Sequence, residues 1–387
     1  MEKLKRTNWA NRFELVGKPK LNEYTYKIDA HSEKSSWVYN ALSLYIDCGE
    51  KYGDISCEMM GGYNSEGNSF IYAHGKDENG KDDFSDDGRI TVAWEDRLNE
   101  NVLKEIGDMC FINVGLEKDK DGKTFYKKFL SEYDAIAYIK EHLEEDMVLR
   151  VKGDLVYSPY NDNTVVRKKI KSIVLSKLQD SKDFSATFVQ SVLLNKASVD
   201  LKELDKNTGV LPIYGTVLDY VKEVNGAEIK GFYPMQQVFE YHFDLSKQSG
   251  EQINSIYNKL FKVKKDVTQI NFIGELIENG TVTITYDELP DEIKELVDIG
   301  AYPLEEALTK CTQNRTKDKK MVILRPEIGK SSDDDNVVSK LMRFESAYTE
   351  DELVFDIPSN EEDSVDETTT TSNDATNGDE LDWLKNL

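Results

Sequence analysis

Apolar and polar residues alternate along much of the first half of the chain, a pattern that predicts half-buried β-strands. The alternating runs are 37–48, 55–63, 90–94, 124–129, 148–157 and 165–176. Between the fourth and fifth runs a helix is predicted to begin at Ser131, with Asp134 three residues later as its capping partner. The first half therefore predicts a set of strands, one helix and two closing strands.

The second half of the chain repeats this order of elements. Its strand-like runs are 188–194, 211–221, 232–243, 270–280 and 281–286. A helix is predicted from Ser249, with Gln252 as its capping partner, between the third and fourth of these runs. Both halves also carry a glycine followed by an acid and a leucine soon after the helix, at Gly153 and at Gly274. We interpret the two passages as an internal repeat.

Three strands, one helix and two strands is the chain order of an OB fold, a small Greek-key barrel. A glycine in the middle of a strand suits the bend that such a barrel needs. We therefore predict a mainly β protein with some helix (α+β), built from tandem OB-like barrels. The predicted divisions are a first OB-like domain with insertions (1–180), a second OB-like domain (184–286), a short helical and strand extension (287–330), and a linker with a disordered acidic tail (331–387).

The end of the chain differs in composition from the rest. After Pro358 it is rich in Asp, Glu, Ser, Thr and Asn and has few apolar residues, which predicts disorder. Within this acidic stretch, Asp382, Trp383 and Leu384 indicate a short docking motif for a partner protein. The alternative is a tail that serves only solubility.

The net charge of −24 is unevenly distributed along the chain. Residues 331–387 contain 17 acidic and 3 basic residues. The remainder is mildly acidic, which argues against indiscriminate binding of duplex DNA through a basic surface. A local basic groove is still compatible with this distribution.

The spacing of the cysteines and the hydropathy of the chain indicate the cellular compartment of the protein. The four cysteines are far apart and form no CxxC pair, which argues against a zinc ribbon or a disulfide framework and favours a reducing compartment. The N-terminus has no signal-peptide pattern, and no apolar run is long enough for a membrane helix. We expect a cytoplasmic protein without membrane partners, in the host cytoplasm if it is phage-encoded.

Basic residues concentrate on the strand pair predicted after the first helix, where alternation directs them away from the core. Lysine and arginine beside aromatic side chains are typical of sequence-tolerant binding of single strands. The candidates for nucleic-acid binding are Arg150, Lys152, Arg167, Lys169, Lys171, Lys127, Lys128, Phe125, Tyr126, Tyr157, Trp37 and Trp94. The alternative for each of them is a solvated or half-buried strand residue that binds no ligand.

Two OB-like passages followed by an acidic tail resemble phage-type single-stranded DNA-binding proteins. The resemblance implies stoichiometric coating of single-stranded DNA in replication or recombination, and a tail that recruits other replication or recombination proteins. The chain departs from that family at its end, which reads Lys385-Asn386-Leu387 in place of an acidic residue and a terminal phenylalanine. This departure puts the identity of the tail's partners in doubt.

Motifs of enzymes and metal sites are not evident in the sequence. There is no phosphate loop, HExxH or GxSxG. Residues 117–128 begin like an EF-hand loop, but Lys128 occupies the position that needs a bidentate glutamate. None of the four histidines is close to a cysteine in sequence. We therefore expect no enzyme, cofactor or metal, and the main alternative function is a phage structural or assembly protein that uses an OB-like barrel as a packing module.

Overall fold

The computed structural model describes residues 4–160, 163–279, 286, 289–313, 319–333 and 336–355. The strands are β1 (Asn11–Lys20), β2 (Tyr26–His31), β3 (Trp37–Asp47), β4 (Asp54–Asn64), β5 (Phe70–His74), β6 (Arg89–Ala93), β7 (Ile112–Lys118), β8 (Thr124–Phe129), β9 (Leu149–Tyr160), β10 (Asn163–Leu175), β11 (Ser185–Leu194), β12 (Val210–Val224), β13 (Ala227–His242), β14 (Val267–Ile277), β15 (Lys320–Pro326), β16 (Ile328–Asp333), β17 (Asn336–Leu341) and β18 (Arg343–Tyr348). The α-helices are α1 (Glu100–Glu105), α2 (Glu132–His142), α3 (Gly250–Ile256), α4 (Asp291–Asp298) and α5 (Leu304–Gln313). The protein is mainly β, which confirms the expected class.

Five strands of the first half form a closed barrel. β3 pairs antiparallel with both β1 and β4, and β10 runs parallel to β4 and antiparallel to β9. β9 closes the ring on β1. Helix α2, which begins after the predicted cap Ser131, packs against β3 and β4. The predicted strands and helix are confirmed, but β1 was not predicted.

An insertion lies between β4 and α2 and carries a small core of its own. Its β5–β6 ribbon is separate from the main sheet, whereas β7 pairs parallel with β10 and antiparallel with β8. Val92, Ile106, Phe111 and Leu130 form the buried cluster of this insertion. The run predicted at 90–94 is thus a strand of the ribbon and not of the barrel.

Five strands of the second half form a second barrel with the same order. β12 pairs with β11 and β13, β15 runs parallel to β13 and antiparallel to β14, and β14 closes the ring on β11. The capping box of Ser249 and Gln252 at the start of α3 is confirmed. The closing strand is β15, in the segment expected as an extension. The strand predicted at 281–286 lies outside the described residues, apart from Tyr286.

The two barrels match residue by residue at the mid-strand glycines. In each barrel the glycine of the fourth strand lies opposite a phenylalanine of the first strand and an isoleucine of the fifth. These positions are Phe13, Gly153 and Ile170 in the first barrel, and Phe188, Gly274 and Ile323 in the second. The ladder between the fourth and fifth strands is also irregular at the same place, next to that isoleucine. The internal repeat is therefore present in the fold.

Close approach of neighbouring strands explains why both positions are glycine. A Cβ atom at Gly153 would lie 1.9 Å from the carbonyl oxygen of Lys169. A Cβ atom at Gly274 would lie 2.3 Å from the ring of Phe188. Any side chain at either position would force the strands apart.

The barrels are joined through backbone and side-chain contacts. β1 pairs antiparallel with β11, so one sheet runs from the first barrel into the second. The ammonium of Lys168 on β10 lies 2.7 Å from a carboxylate oxygen of Glu278, and both side chains are at most 5% exposed. A single apolar core includes residues of both barrels.

The expected linker and disordered tail from residue 331 is wrong for the segment up to 355. β16 and β17 form a hairpin, and β18 pairs with β14 at the edge of the second barrel. Tyr348 is buried, and its hydroxyl donates a hydrogen bond to the carbonyl oxygen of Lys5 at 2.8 Å. Residues 356–387, which contain the rest of the predicted tail, lie outside the described residues.

Candidate nucleic-acid interface

Four of the predicted cations lie together on the outer face of β9 and β10. Arg150 and Lys152 project from β9, and Lys169 and Lys171 project from β10. Their side chains are between 41% and 51% exposed. We refer to these four residues as the four-cation face. The alternation that predicted them also directs their neighbours on the strands into the core.

Two carboxylates beside the four-cation face are each shared by two cations. Glu14 on β1 lies 3.0 Å from Arg150 and 2.8 Å from Lys152. Glu132 at the start of α2 lies 3.6 Å from Lys169 and 4.0 Å from Lys171. Because two carboxylates serve four cations, these two clusters keep an excess of positive charge in a strongly acidic protein.

A third carboxyl group, Asp154, lies opposite Lys169 on the β9–β10 ladder. Burial raises the pKa of Asp154, and the nearby charges of Lys171 and Lys169 oppose that shift. Asp154 is therefore a third carboxyl group beside the four cations.

The second barrel has neutral residues where the first has the four-cation face. The matched glycines and isoleucines set the alignment, so the residues around them can be compared directly. Arg150, Lys152, Lys169 and Lys171 correspond to Asn271, Ile273, Val322 and Leu324. The same barrel therefore forms without these cations. Asn271 and Val322 are buried in the second barrel, at 2% and 4% exposed, so at these two positions the neutral residue also reflects burial.

Arg167, the fifth predicted cation of this hairpin, differs from the other four. Its guanidinium lies 3.7 Å from Glu58 on β4, and both side chains are about a quarter exposed or less. The equivalent position in the second barrel is Lys320, which lies 3.2 Å from Glu240 on β13. An ion pair between the third and fifth strands thus occurs in both barrels, which indicates a structural role for Arg167.

The candidates on β8 are exposed. Phe125 and Tyr126 are 51% and 56% exposed. The ammonium of Lys127 lies 4.4 Å from the ring centroid of Tyr138, and that of Lys128 lies 3.0 Å from Asp108. The two aromatic rings are accessible for stacking, whereas both lysines already have partners.

The two candidate tryptophans are half-buried and packed against other rings. Trp37 stacks on Tyr39 with ring centroids 4.8 Å apart, and both project from β3. Trp94 stacks on Tyr63 with ring centroids 5.0 Å apart, and the guanidinium of Arg97 lies 4.1 Å from the centroid of the Trp94 ring. Trp94 is therefore held in a local cluster, while Trp37 and Tyr39 form a stacked pair on the outer face of the first barrel.

Tyr157 is the one candidate whose proposed stacking role the structure contradicts. Its side chain is 1% exposed and lies between the two barrels. The phenol donates to Gln190, and the backbone N–H of Tyr157 donates to Asp219 Oδ2 at 2.7 Å. Alternation on β9 turns Tyr157 inward, so it cannot stack on a base.

His74 and Cys110 lie far apart in sequence but come together in the insertion. The Cys110 sulfur is 3.3 Å from Nδ1 and 3.7 Å from Nε2 of His74, and Asp82 accepts from Nε2 at 2.8 Å. Nearly equal distances to both ring nitrogens place the sulfur over the ring and not along either lone pair. The arrangement therefore lacks the in-line hydrogen bond that a thiol–imidazole nucleophile needs.

Three further predictions concern the tail motif, membrane helices and metal sites. The tail motif of Asp382, Trp383 and Leu384 lies outside the described residues. Within them, no helix is long and apolar enough to cross a membrane. The same part of the chain contains no group of three or more His, Cys, Asp or Glu side chains that could hold a metal ion.

The sequence analysis missed the acidic partners of the four-cation face. Glu14 is 136 residues from Arg150 in the chain and is placed by β1, which was not predicted. The alternation of Phe13, Glu14 and Leu15 is the local signal, and the apolar residue Val16 ends it after three residues. An alternating pattern this short identifies a strand only when its partner strands are already known.

Comparison with known proteins gives a family. The YorF family model matches residues 80–287, which contain the insertion from β6 onward, β9 and β10 of the first barrel and β11 to β14 of the second. No curated protein matches the chain. Since the match covers more than half of the chain, this protein belongs to the YorF family.

Proposed function

We propose that this protein binds single-stranded DNA through the outer face of its first barrel. The observation that carries the proposal is the comparison of the two barrels. The same four positions are cationic in the first barrel and neutral in the second, where two of them are buried, so formation of the barrel does not itself require the charge. The protein as a whole has a net charge of −24, so a polyanionic ligand could approach it only at a local group of cations. The four-cation face is such a group.

The barrel connectivity supports an OB fold. In both barrels the ring order is first, second, third, fifth and fourth strand, with the third and fifth parallel and a helix between the third and fourth. OB folds bind oligonucleotides on the face of the second and third strands and on adjacent loops. In the first barrel the second strand carries the stacked pair Trp37 and Tyr39, which supports base stacking on this face.

Binding would exchange carboxylates for phosphates. Half-exposed ion pairs such as those of Glu14 and Glu132 contribute only about 0–1 kcal/mol each, so a backbone phosphate can replace the carboxylate at little cost. Phe125 and Tyr126 would add sequence-tolerant stacking at the β8 edge. The protein would act stoichiometrically in replication or recombination, and the YorF family suggests a phage origin.

A titration of a fluorescent single-stranded oligonucleotide at several salt concentrations tests the proposal. The Lys169→Ala/Lys171→Ala variant should have a log–log salt slope shallower by about 1.4, because each neutralised phosphate contributes about 0.7. The control is Lys182→Ala/Lys247→Ala, which removes the same charge from two highly exposed lysines elsewhere. Equal slopes for the two variants would remove the four-cation face from the site. No binding of the wild-type protein at any salt concentration would favour the assembly function.

A further inference from the structure

A shallow cleft in the insertion has the composition of an anion site with an apolar floor. It is about 300 Å³ in volume and is lined by Lys76, Lys104, Lys128, Asp108, Glu100, Leu103 and Phe111. Three ammonium groups and two carboxylates thus surround two apolar side chains, of which Phe111 is buried and faces the ammonium of Lys128. Phosphate groups of a ligand suit the lysines.

The charges in this cleft are only partly compensated. Asp108 lies 3.0 Å from Lys128 and 3.5 Å from Lys76, and these two cations lower the pKa of its carboxyl group. Lys104 has no ion-pair partner within the described part of the chain. A ligand phosphate could therefore bind Lys104 without displacing a carboxylate.

Strand register connects the cleft to the four-cation face. Lys152 on β9 lies opposite Ser172 on β10, Ser172 lies opposite Asn113 on β7, and Asn113 lies opposite Lys128 on β8. Three strand spacings of about 4.8 Å separate Lys152 from Lys128, or roughly 15 Å. The row crosses one continuous sheet, so no gap in the surface interrupts the path.

We propose that the cleft formed by Lys76, Lys104 and Lys128 is a second subsite for the same single strand. The inference rests on the proposed function and extends it. A strand bound on the four-cation face would continue across β7 and β8 and bring a backbone phosphate to Lys104 in the cleft. The insertion then lengthens the binding site of the first barrel, and the second barrel is not needed for that extension.

Two oligonucleotide lengths separate this inference from the proposed function itself. OB folds occupy about 4–16 nucleotides, so an oligonucleotide of about 5 would fill the four-cation face and one of about 16 would also reach the cleft. For the Lys76→Ala/Lys104→Ala variant, we expect the salt slope to become shallower by about 1.4 with the long oligonucleotide and to stay unchanged with the short one. The control Lys81→Ala/Lys206→Ala, in exposed loops outside both sites, should match wild type for both lengths.

Chemical labelling gives a second readout that does not depend on a variant. On the wild-type protein, the long oligonucleotide should protect Lys104 from acetylation, and the short one should not. Equal slopes for the cleft and control variants, together with unprotected Lys104, would overturn the second subsite while leaving the proposed function intact. If neither oligonucleotide binds the wild-type protein, the proposed function and this subsite both fail.

Discussion

The side chain of Tyr157 is packed between the two barrels, where its phenol donates a hydrogen bond to Gln190 Oε1 at 3.2 Å. The backbone N–H of Tyr157 donates a hydrogen bond to the carboxylate of Asp219, which also forms an ion pair with the guanidinium of Arg6 at 2.9 Å. Burial raises the pKa of the Tyr157 phenol and lowers that of the Arg6 guanidinium. This group of residues therefore connects the barrels and takes no part in a surface site.

Tyr157→Phe should destabilise the protein without changing its affinity for single strands. Loss of the hydrogen bond leaves Gln190 Oε1 buried and without its donor, which costs about 1–2 kcal/mol. Urea-induced unfolding measures this loss, and oligonucleotide titration measures the affinity. Tyr220→Phe is the matched control, because Tyr220 is exposed and its hydroxyl forms no hydrogen bond within the described residues. A loss of affinity in Tyr157→Phe at unchanged stability would contradict the assignment.

At the scale of elements, local signals predicted most strands and both barrel helices, but they did not predict the pairing. Alternation identified β3, β4, β6 and β8 to β14, and capping residues identified the starts of α2 and α3. β1 has a pattern of only three alternating residues, and two of its three partner strands, β9 and β11, lie more than a hundred residues away. β15 closes the second barrel across an interruption that contains α4 and α5. Neither pairing can be predicted from a short stretch of sequence, because the strands that pair are far apart in the chain.

The position of β18 predicts different outcomes for two truncations. Removing residues 356–387 should leave the thermal midpoint unchanged. Removing residues 331–387 should lower the free energy of unfolding by at least about 3 kcal/mol, because it deletes β17 and β18, exposes the edge of β14 and removes buried Tyr348. Calorimetry or denaturant unfolding of the two shortened proteins measures the difference.

A point variant checks that the effect belongs to packing and not to chain length. Tyr348→Ala in the full chain should reproduce most of the loss, since it removes both the buried ring and the hydrogen bond to Lys5. If the longer truncation is as stable as the shorter one, then β18 contributes no packing energy.

At the scale of the whole molecule, charge of opposite sign is separated along the chain. The four-cation face lies on the first barrel, whereas the segment 359–387 is strongly acidic. Because the composition of this segment predicts disorder, we expect the tether to give it a millimolar effective concentration around the barrel, so that weak attraction suffices for it to occupy the cationic surface. The segment would then compete with a nucleic acid for the same residues.

Deleting residues 359–387 should therefore tighten single-strand binding at low salt. The gain should shrink as salt rises, because screening weakens the attraction of the tail for the face. Titration of a fluorescent oligonucleotide at two salt concentrations measures both effects. A full-length variant with the acids of 361–380 replaced by their amides is the matched control and should behave like the deletion. Unchanged affinity of the truncated protein at both salt concentrations would exclude competition by the tail.

The pairing of β1 with two distant strands sets a delay during synthesis of the chain. Phe13 lies opposite Gly153 on one side and opposite Phe188 on the other, so β1 cannot complete its ladders until both partner strands have left the ribosome. At about 5–20 residues per second, β9 arrives roughly 7–30 s after β1. During that interval β1 can pair with β3 through Lys18–Lys20, but residues 11–16 have no partner strand and could associate with other chains. Charges and proline protect such an exposed edge, and β1 carries Arg12, Glu14, Lys18, Pro19 and Lys20. We therefore expect the polar residues of β1 to limit aggregation of the nascent chain before they contribute to any site in the folded protein.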